Sequence, residues 1–259
     1  MNRTATKRSK KSAKDFAAHI HLLGVVDFED CASLQRRLAY DALSRSDGRI
    51  CVLICEHPPL ITIGRGGSRG QISFTGAELA ARQLEIRYVG RGGGCLLHGP
   101  GQLAVYPIVP LNWHGWSVGV YLERLRASLA GALAEFNVRP QSPKGCFSLY
   151  GRTGLLAAIG VAVRNGMTSH GAYLNVNPSL RDFARVQAGS LGAMSSLLAE
   201  RPIPVKMTAV RAALATHLSH AFACERYHLH DGHPLLVELS PSDHDRDDNR
   251  NDFDRDIAA

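Results

Sequence analysis

The sequence predicts an α+β fold in which a mixed β-sheet is packed against helices. Apolar stretches typical of strands and amphipathic stretches typical of helices interleave along the 259 residues without a regular strand–helix alternation. Hydrophobic residues make up 45% of the chain, which is enough for one sizeable core. Apolar runs stay shorter than the roughly 18–20 residues that a membrane-spanning helix needs. These features favour one globular domain over a doubly wound parallel sheet or a membrane protein.

The N-terminal half of the domain is predicted to be rich in strands. EHPP is a break between two apolar strands, and Thr75 and Glu78 have the spacing of a helix capping box. We expect, in chain order, a strand at 19–26, a helix at 29–44, strands at 50–55 and 60–64, a helix from 75 to 84, a strand at 86–89, a glycine-rich loop at 90–102 and a strand at 103–109.

The C-terminal half is predicted to hold the longer helices. Ser117 is placed to cap a helix whose apolar residues recur at helical spacing up to Phe136. The remaining predicted elements are strands at 155–163 and 172–177, helices at 191–200 and 207–222, and a final hairpin formed by 227–230 and 234–239.

Charge divides the chain into a domain and two tails. Residues 1–14 carry six Lys or Arg and residues 241–259 carry seven Asp against three Arg, so both are predicted to be disordered. The domain, residues 15–240, keeps a net charge of +5, which suits an acidic partner or serves solubility alone. Aromatic residues are 7% of the chain and do not interleave with arginines, so nucleic acid is not an expected partner. Six cysteines and no secretory signal predict reduced thiols and a cytoplasmic protein.

The segment VGRGGGCLLHGPGQLAVYP (89–107) is the most informative stretch. Six glycines between 90 and 101 give up helix and strand stability, which is typical of a backbone that approaches a ligand closely. A flexible surface loop is the alternative, and a nucleotide-binding loop is disfavoured because no GKS or GKT follows.

Two further segments carry polar residues in glycine-rich surroundings. GRGGSRG (64–70) is interpreted as a turn with solvated arginines rather than a phosphate cradle. His170 precedes Gly171 between two predicted strands and is interpreted either as a catalytic base or as a turn residue. Asn175 and Asn177 are predicted to share one face of the second strand.

Four motifs together resemble one family. EHPP…ITIGR (56–65), RGGGCLLHGPGQLAVYPI (91–108), LLAAIGVAV (155–163) and SHGAYLNVN (169–177) are similar to those of the octanoyl-acyl-carrier-protein:protein octanoyltransferases. These B-type lipoyl(octanoyl)transferases of lipoate biosynthesis lie in the biotin/lipoate ligase-like superfamily. The resemblance covers about residues 20–220.

The resemblance implies a mixed sheet over a narrow apolar tunnel and a two-step acyl transfer without a cofactor or metal. A cysteine takes the octanoyl group from acyl carrier protein, and a lysine of a lipoyl domain then receives it, in a 2-oxoacid dehydrogenase or the glycine cleavage H protein. Small residues would leave room for the alkyl chain, and glycine amides would hold the oxyanion. The implied substrate-binding residues are Arg91, Gly92, Gly93, Gly94, Cys95, Leu96, Leu97, His98, Ala158, Ile159, Gly160, Gly171, Ala172 and Tyr173.

The chain departs from the family at both reactive positions. The family's lysine, which favours the cysteine thiolate, matches Leu155, and its cysteine matches Ala188 with an uncertainty of about one position. Residues 147–223 contain no cysteine in any register. Because neither a methyl nor an isobutyl group can carry out this chemistry, the usual covalent route is expected to be closed.

Two other thiols are candidate replacements. Cys95 lies three residues before His98, which could act as its base, and Cys146 lies two residues after Lys144. The alternative for each is a buried or incidental thiol. A zinc site among the cysteines, or among His217, His220, His228, His230 and His233, is not expected, because no ligand pairs have finger spacing.

The sequence therefore predicts an acyltransferase-family protein of lipoate biosynthesis whose octanoyl transfer is impaired or rerouted. The alternative is a non-catalytic protein that binds an acyl chain, acyl carrier protein or a lipoyl domain. An ATP-dependent ligase is the weakest reading, because those enzymes also rely on a strand lysine that Leu155 cannot replace.

Overall fold

The computed structural model describes residues 17–45, 47–186, 192–201 and 203–238. Both predicted tails, and Ala188, lie outside the described residues. The strands are β1 (Ala17–Val25), β2 (Ile50–Glu56), β3 (Leu60–Ile63), β4 (Glu85–Tyr88), β5 (Cys95–His98), β6 (Gln102–Ile108), β7 (Leu149–Tyr150), β8 (Leu155–Arg164), β9 (Met167–Asn175) and β10 (Arg226–Asp231). The helices are α1 (Phe28–Arg45), α2 (Gly76–Ala81), α3 (Leu111–His114), α4 (Val118–Ala134), α5 (Leu180–Phe183), α6 (Leu197–Glu200), α7 (Met207–Ala221) and α8 (Pro234–Glu238).

Seven strands form the main sheet, in the order β10-β1-β2-β6-β9-β8-β7. β1 runs parallel to both β10 and β2, and the remaining pairs are antiparallel. A second sheet has the order β4-β3-β5, with β3 parallel to β4 and antiparallel to β5. The predicted α+β class with a mixed sheet is confirmed.

Both faces of the main sheet are covered, which explains why β2 is apolar throughout rather than alternating. Its residues Val52 and Ile54 belong to a core with α4 and α7. Leu53 and Cys55 face the opposite side and pack with α1, with Leu96 of the second sheet and with other apolar residues. We call this second group the α1-side core. A third apolar cluster lies between the second sheet and α5.

The end of the chain differs from the predicted hairpin. β10 pairs in parallel with β1, from Ala17 opposite Arg226 to Leu22 opposite Asp231, and residues 234–238 form helix α8. The sequence indicates a strand at 227–230. It does not show which strand this segment pairs with, because that depends on which edge of the sheet is open. The predicted hairpin was therefore wrong in its pairing.

Two other boundaries differ because tertiary contacts override local patterns. The predicted glycine-rich loop 90–102 contains strand β5, whose residues pair with β3. The predicted helix 191–200 is helical only over Leu197–Glu200, where Ser196 Oγ caps Ala199 N at 3.1 Å. Residues 193–195 instead run along Leu155 as an extended segment. None of the described helices combines the length and hydropathy needed to cross a membrane.

Candidate functional site

The two glycine-rich stretches fold against each other. Amides of residues 64–66 donate to the loop that precedes β5: Gly64 N to Gly94 O at 3.2 Å, Arg65 N to Arg91 O at 3.0 Å and Gly66 N to Gly93 O at 3.0 Å. GRGGSRG is thus a support for the RGGG loop, and its first three amides are committed to that task. The predicted turn of GRGGSRG is correct, and the phosphate cradle is disfavoured.

Arg91 is the central side chain of this arrangement. It is 1% exposed, and its guanidinium donates to Gly94 O at 3.0 Å and to Thr62 Oγ1 at 2.7 Å. The guanidinium carbon lies 5.7 Å from the centre of the Tyr173 ring. Burial lowers the pKa of Arg91 from its ordinary value. Because its hydrogen-bond acceptors are uncharged oxygens, Arg91 orders the loop rather than forming a buried ion pair.

The hydrogen bonds of His98 fix its tautomer. Thr62 Oγ1 accepts from Arg91 and lies 2.8 Å from His98 Nε2. Because the neutral ring carries its proton on Nδ1, the threonine hydroxyl donates to Nε2. His98 Nδ1 lies 2.8 Å from Gln102 Oε1, to which it donates. Burial, with His57 nearby, lowers the pKa of His98 well below its ordinary value, so the ring is neutral. Neither ring nitrogen is left to act as a base for a thiol.

The chain of hydrogen bonds continues across the main sheet. Gln102 Nε2 donates to Asn175 Oδ1 at 2.9 Å, and Asn175 Nδ2 donates to Ser195 O at 3.0 Å. A longer contact of 3.4 Å joins Asn175 Nδ2 to Leu155 O. All donors thus point in one direction, from Arg91 to the carbonyls beside Leu155. We call this series Arg91–Thr62–His98–Gln102–Asn175 the buried relay.

Glycines let the loop and strands approach the relay closely. A Cβ on Gly160 would lie 2.5 Å from Gly92 O, and Gly92 N donates to Val161 O at 3.0 Å. A Cβ on Gly171 would collide with Val105 O of the neighbouring strand. These two positions are small because backbone must pack there, which corrects the expectation that they leave space for an alkyl chain.

Comparisons with known proteins show the family of this chain. Residues 27–226 match the model of the lipoyl protein ligase A/B catalytic domain. An octanoyltransferase of Geotalea uraniireducens is 38% identical over 192 residues, covering 73% of this chain and 86% of the relative. One from a Roseiflexus species is 35% identical over 213 residues, with coverages of 80% and 88%. The chain belongs to the octanoyltransferase family.

Solved structures agree on the fold at low sequence identity. A lipoate-protein ligase A bound with ATP superposes with a TM-score of 0.66 at 14% identity, covering 86% of this chain and 92% of the ligase. A bipartite lipoate protein ligase of Thermoplasma acidophilum, described with its E2 lipoyl domain, has a TM-score of 0.63 at 14% identity, with coverages of 86% and 90%. The predicted biotin/lipoate ligase-like fold is confirmed.

Within this octanoyltransferase-family fold, Leu155 is fully buried at the start of β8. Its side chain belongs to the α1-side core, together with Leu96, Ala158 and Tyr173. Its backbone pairs with the extended segment 193–195, since Leu155 N donates to Ala193 O at 2.8 Å and Ser195 N donates to Leu155 O at 2.9 Å. The position predicted to match the family's lysine is therefore an apolar packing site beside predicted substrate residues.

Glu200 holds the turn that leads into Leu155. Its carboxylate accepts from Arg152 N at 2.9 Å, Thr153 N at 2.8 Å and Ser195 Oγ at 3.2 Å. Burial raises the pKa of Glu200, but these hydrogen bonds outweigh burial and lower the pKa to about 2. The residue was not singled out in the sequence, because its partners come from two distant segments.

The structure does not bring Cys95 and His98 together. The two side chains lie on opposite faces of β5, Cys95 with the second sheet's apolar cluster and His98 beside Tyr173. The Cys95 sulfur lies 3.3 Å from both Ser68 O and Gln71 Oε1. Burial raises the pKa of the Cys95 thiol. The predicted thiol–imidazole pair at 95 and 98 is thus wrong, because an odd spacing along a strand reverses the face.

The predicted pair of Cys146 and Lys144 lies in a turn before β7. Cys146 is half-buried, Lys144 is exposed, and Cys146 N donates to Pro143 O at 2.9 Å. The thiol lies beside the Tyr150 hydroxyl, whose pKa burial and Cys146 raise to about 12. Cys146 is the more accessible of the two candidate thiols.

The other predicted substrate-binding residues lie in three separate apolar clusters. Leu96, Ala158 and Tyr173 share the α1-side core, whereas Ala172 and Ile159 face the core with α4 and α7. Leu97 packs with Cys95 in the second sheet's cluster.

His170 and the two asparagines are placed differently from one another. His170 has a positive φ of 55°, and its Nδ1 is buried without a hydrogen-bond partner among the described residues. Burial and Arg91 lower the pKa of His170 to about 4. Asn175 ends β9 inside the relay, while Asn177 is exposed beyond the strand, so the predicted shared face is wrong.

Proposed function

We propose that this chain acts on octanoyl groups in lipoate biosynthesis, with octanoyl transfer impaired because the family's cysteine–lysine route is closed. The observation that carries the proposal is that Leu155, predicted to match the family's lysine, is fully buried in one apolar cluster with Ala158 and Tyr173. A hydrocarbon there cannot favour a thiolate, and Ala188 offers no sulfur to attack the thioester.

Octanoyl-acyl carrier protein and lipoyl domains are the proposed partners, and the cytoplasm is the proposed place of action. Acyl carrier proteins are acidic, and the net charge of +5 over residues 15–240 supports their binding. The buried relay supports a retained octanoyl-binding site, because its hydrogen bonds hold Arg91 and His98 rigidly, although neither residue transfers a proton.

The second candidate is a non-catalytic protein that binds the same partners. It is favoured by the absence of an available base at His98 and by the raised pKa of Cys95. Binding of octanoyl-carrier protein without any transfer to a lipoyl domain would distinguish it from a slow transferase.

The test mixes the full chain with octanoyl-carrier protein and reads its intact mass, then adds a lipoyl domain and measures octanoylation. We expect no stable octanoyl adduct and a rate several orders of magnitude below that of a family member with both reactive residues. The double variant Leu155→Lys with Ala188→Cys should gain an adduct on the introduced sulfur, and each single variant serves as control.

A full-stoichiometry adduct on the unmodified chain would overturn the proposed impairment. Mapping it to Cys146 or Cys95 would then identify a displaced nucleophile. Because the unmodified chain decides this, the test does not depend on the folding of a variant with a lysine in the core.

A further inference from the structure

Three metal-ligating side chains meet inside the α1-side core. Cys31 of α1, Cys55 of β2 and His57 just after β2 are each at most 2% exposed. Their ligand atoms all lie within 4.8 Å of one another, and no other set of three such residues is found in the described part of the chain. Neither the family's reaction nor the buried relay uses these groups.

Two of the three ligand–ligand distances match those around one tetrahedral metal, and the third is within 4.8 Å. The two sulfurs are 3.9 Å apart, and Cys55 Sγ is 3.7 Å from His57 Nε2. Zinc–sulfur bonds of about 2.3 Å and zinc–nitrogen bonds of about 2.0 Å at tetrahedral angles give about 3.8 Å and about 3.5 Å for these pairs. A disulfide would need the sulfurs at about 2.05 Å.

The neighbours of the three residues prepare them as ligands. His57 Nδ1 lies 2.7 Å from Val26 O and donates to it, which leaves Nε2 unprotonated, with Cys55 Sγ 3.7 Å away and the Tyr106 hydroxyl 2.7 Å away. The Gln35 amide nitrogen lies 4.0 Å from Cys31 Sγ and is oriented to donate to it. Carbonyl partners for the far nitrogen of a ligating histidine, and donors to a thiolate, are common around protein metal sites.

Charge and coordination number point to the same ion. Two thiolates and a neutral imidazole around a divalent cation have no net charge, which a buried apolar site tolerates. Water completes the coordination of three-ligand zinc sites, and binding here requires the Tyr106 hydroxyl, 2.7 Å from His57 Nε2, to release that nitrogen. Soft thiolate ligands with one imidazole favour zinc over magnesium or calcium.

We propose that Cys31, Cys55 and His57 bind one zinc ion, which links α1 to β2 beside the predicted octanoyl-binding residues. Binding converts both thiols to thiolates and releases their two protons to solvent. This site is independent of the octanoyl chemistry proposed above, and the expectation from the sequence that the chain holds no metal is revised by it.

The test uses the full chain, reduced, stripped with a chelator and titrated with Zn²⁺ or Co²⁺ alone. We expect one zinc per chain and, with cobalt, the near-ultraviolet charge-transfer absorption that requires thiolate ligands. The histidines of β1 and β10 cannot produce that absorption. Zinc should also raise the midpoint of thermal unfolding, because the folded state alone has the assembled site.

Cys55→Ser and His57→Gln are the test variants, and Cys51→Ser is the matched control on the same face of β2. Losing a ligand should weaken zinc binding by about 100-fold or more, since removing only a hydrogen-bond partner of a ligand costs about 10- to 100-fold. Cys51→Ser should bind as the unmodified chain does.

Two outcomes would overturn the proposal. One is the absence of stoichiometric zinc and of the cobalt absorption in the unmodified chain. The other is equal loss of binding in Cys51→Ser and Cys55→Ser, which would assign the metal to other thiols.

Discussion

Gln102 Nε2 donates a hydrogen bond of 2.9 Å to Asn175 Oδ1, and this bond joins β6 to β9 inside the buried relay. Both side chains are at most 4% exposed. Each amide has its other atoms engaged, Gln102 by His98 and Leu97 O and Asn175 by Ser195 O. Both amides of the relay are therefore fully hydrogen-bonded, and removing one takes away a buried partner of the other.

Asn175→Ala should lower the free energy of unfolding by about 1–3 kcal/mol, because the Gln102 amide would lose one of its two buried acceptors and Ser195 O would lose its donor. Asn177→Ala is the matched control, two residues further on and exposed, and should change stability by less than about 0.5 kcal/mol. Urea unfolding midpoints compare the two variants. Equal effects at both positions would contradict the role of the relay.

Gly160→Ala should destabilise the fold by about 1–3 kcal/mol, because the new Cβ would lie 2.5 Å from Gly92 O and push the RGGG loop away. Gly76→Ala is the control, since a Cβ at Gly76 meets nothing within 4 Å. Thermal unfolding and protection of the Gly92 amide from hydrogen exchange measure the effect. Unchanged protection at Gly92 would show that the loop does not depend on this close approach.

Stability should fall with acid through Glu200. Its pKa is about 2 in the folded chain against an ordinary 4.5, so the carboxylate stabilises the fold above about pH 4.5, and this contribution is lost as pH falls from 4.5 towards 2. Glu200→Gln should therefore be less stable at neutral pH and show a shallower loss over that range. Urea midpoints at a series of pH values measure this.

Some acid dependence should persist in Glu200→Gln, because hydrogen bonds from Arg185 and Thr75 lower the pKa of Glu78 to about 2 as well. Glu123→Gln, at an exposed partner of Arg126, is the control for the loss of one negative charge. An unchanged slope in Glu200→Gln itself would contradict the assignment.

Iodoacetamide at pH 8 should label Cys146 well before Cys95 in the folded chain. Cys146 is half-buried, whereas Cys95 is fully buried and its raised pKa leaves little thiolate at that pH. Peptide mass spectrometry follows the order of labelling, and Cys95 should react readily once the chain is denatured. Labelling of Cys95 at the rate of Cys146 would reopen the case for Cys95 as a nucleophile.

Motifs with local causes were predictable from the sequence. The capping residues Ser117 and Thr75 do cap α4 and α2, since the backbone N–H groups that donate to their side chains lie only three residues away. Arg91 and His98 were recognised as a site because of the glycines around them. Thr62 was missed, although a lone threonine within the apolar strand LITI is a usable signal for a buried polar partner.

Relationships that cross the fold were not predictable. Cys55 and His57 could be placed on one face from their spacing, but Cys31 arrives from α1 through tertiary packing. Cys95 and His98 are only three residues apart in sequence, yet the alternation of side chains along β5 places them on opposite faces. The parallel pairing of β10 with β1 depended on which sheet edge was open.

The relay reaches position 155 only through main-chain atoms: Leu155 O accepts from Asn175 and Ser195, and Leu155 N donates to Ala193. These main-chain hydrogen bonds do not depend on which side chain residue 155 carries. A change of side chain at this position therefore leaves the main-chain framework around it assembled.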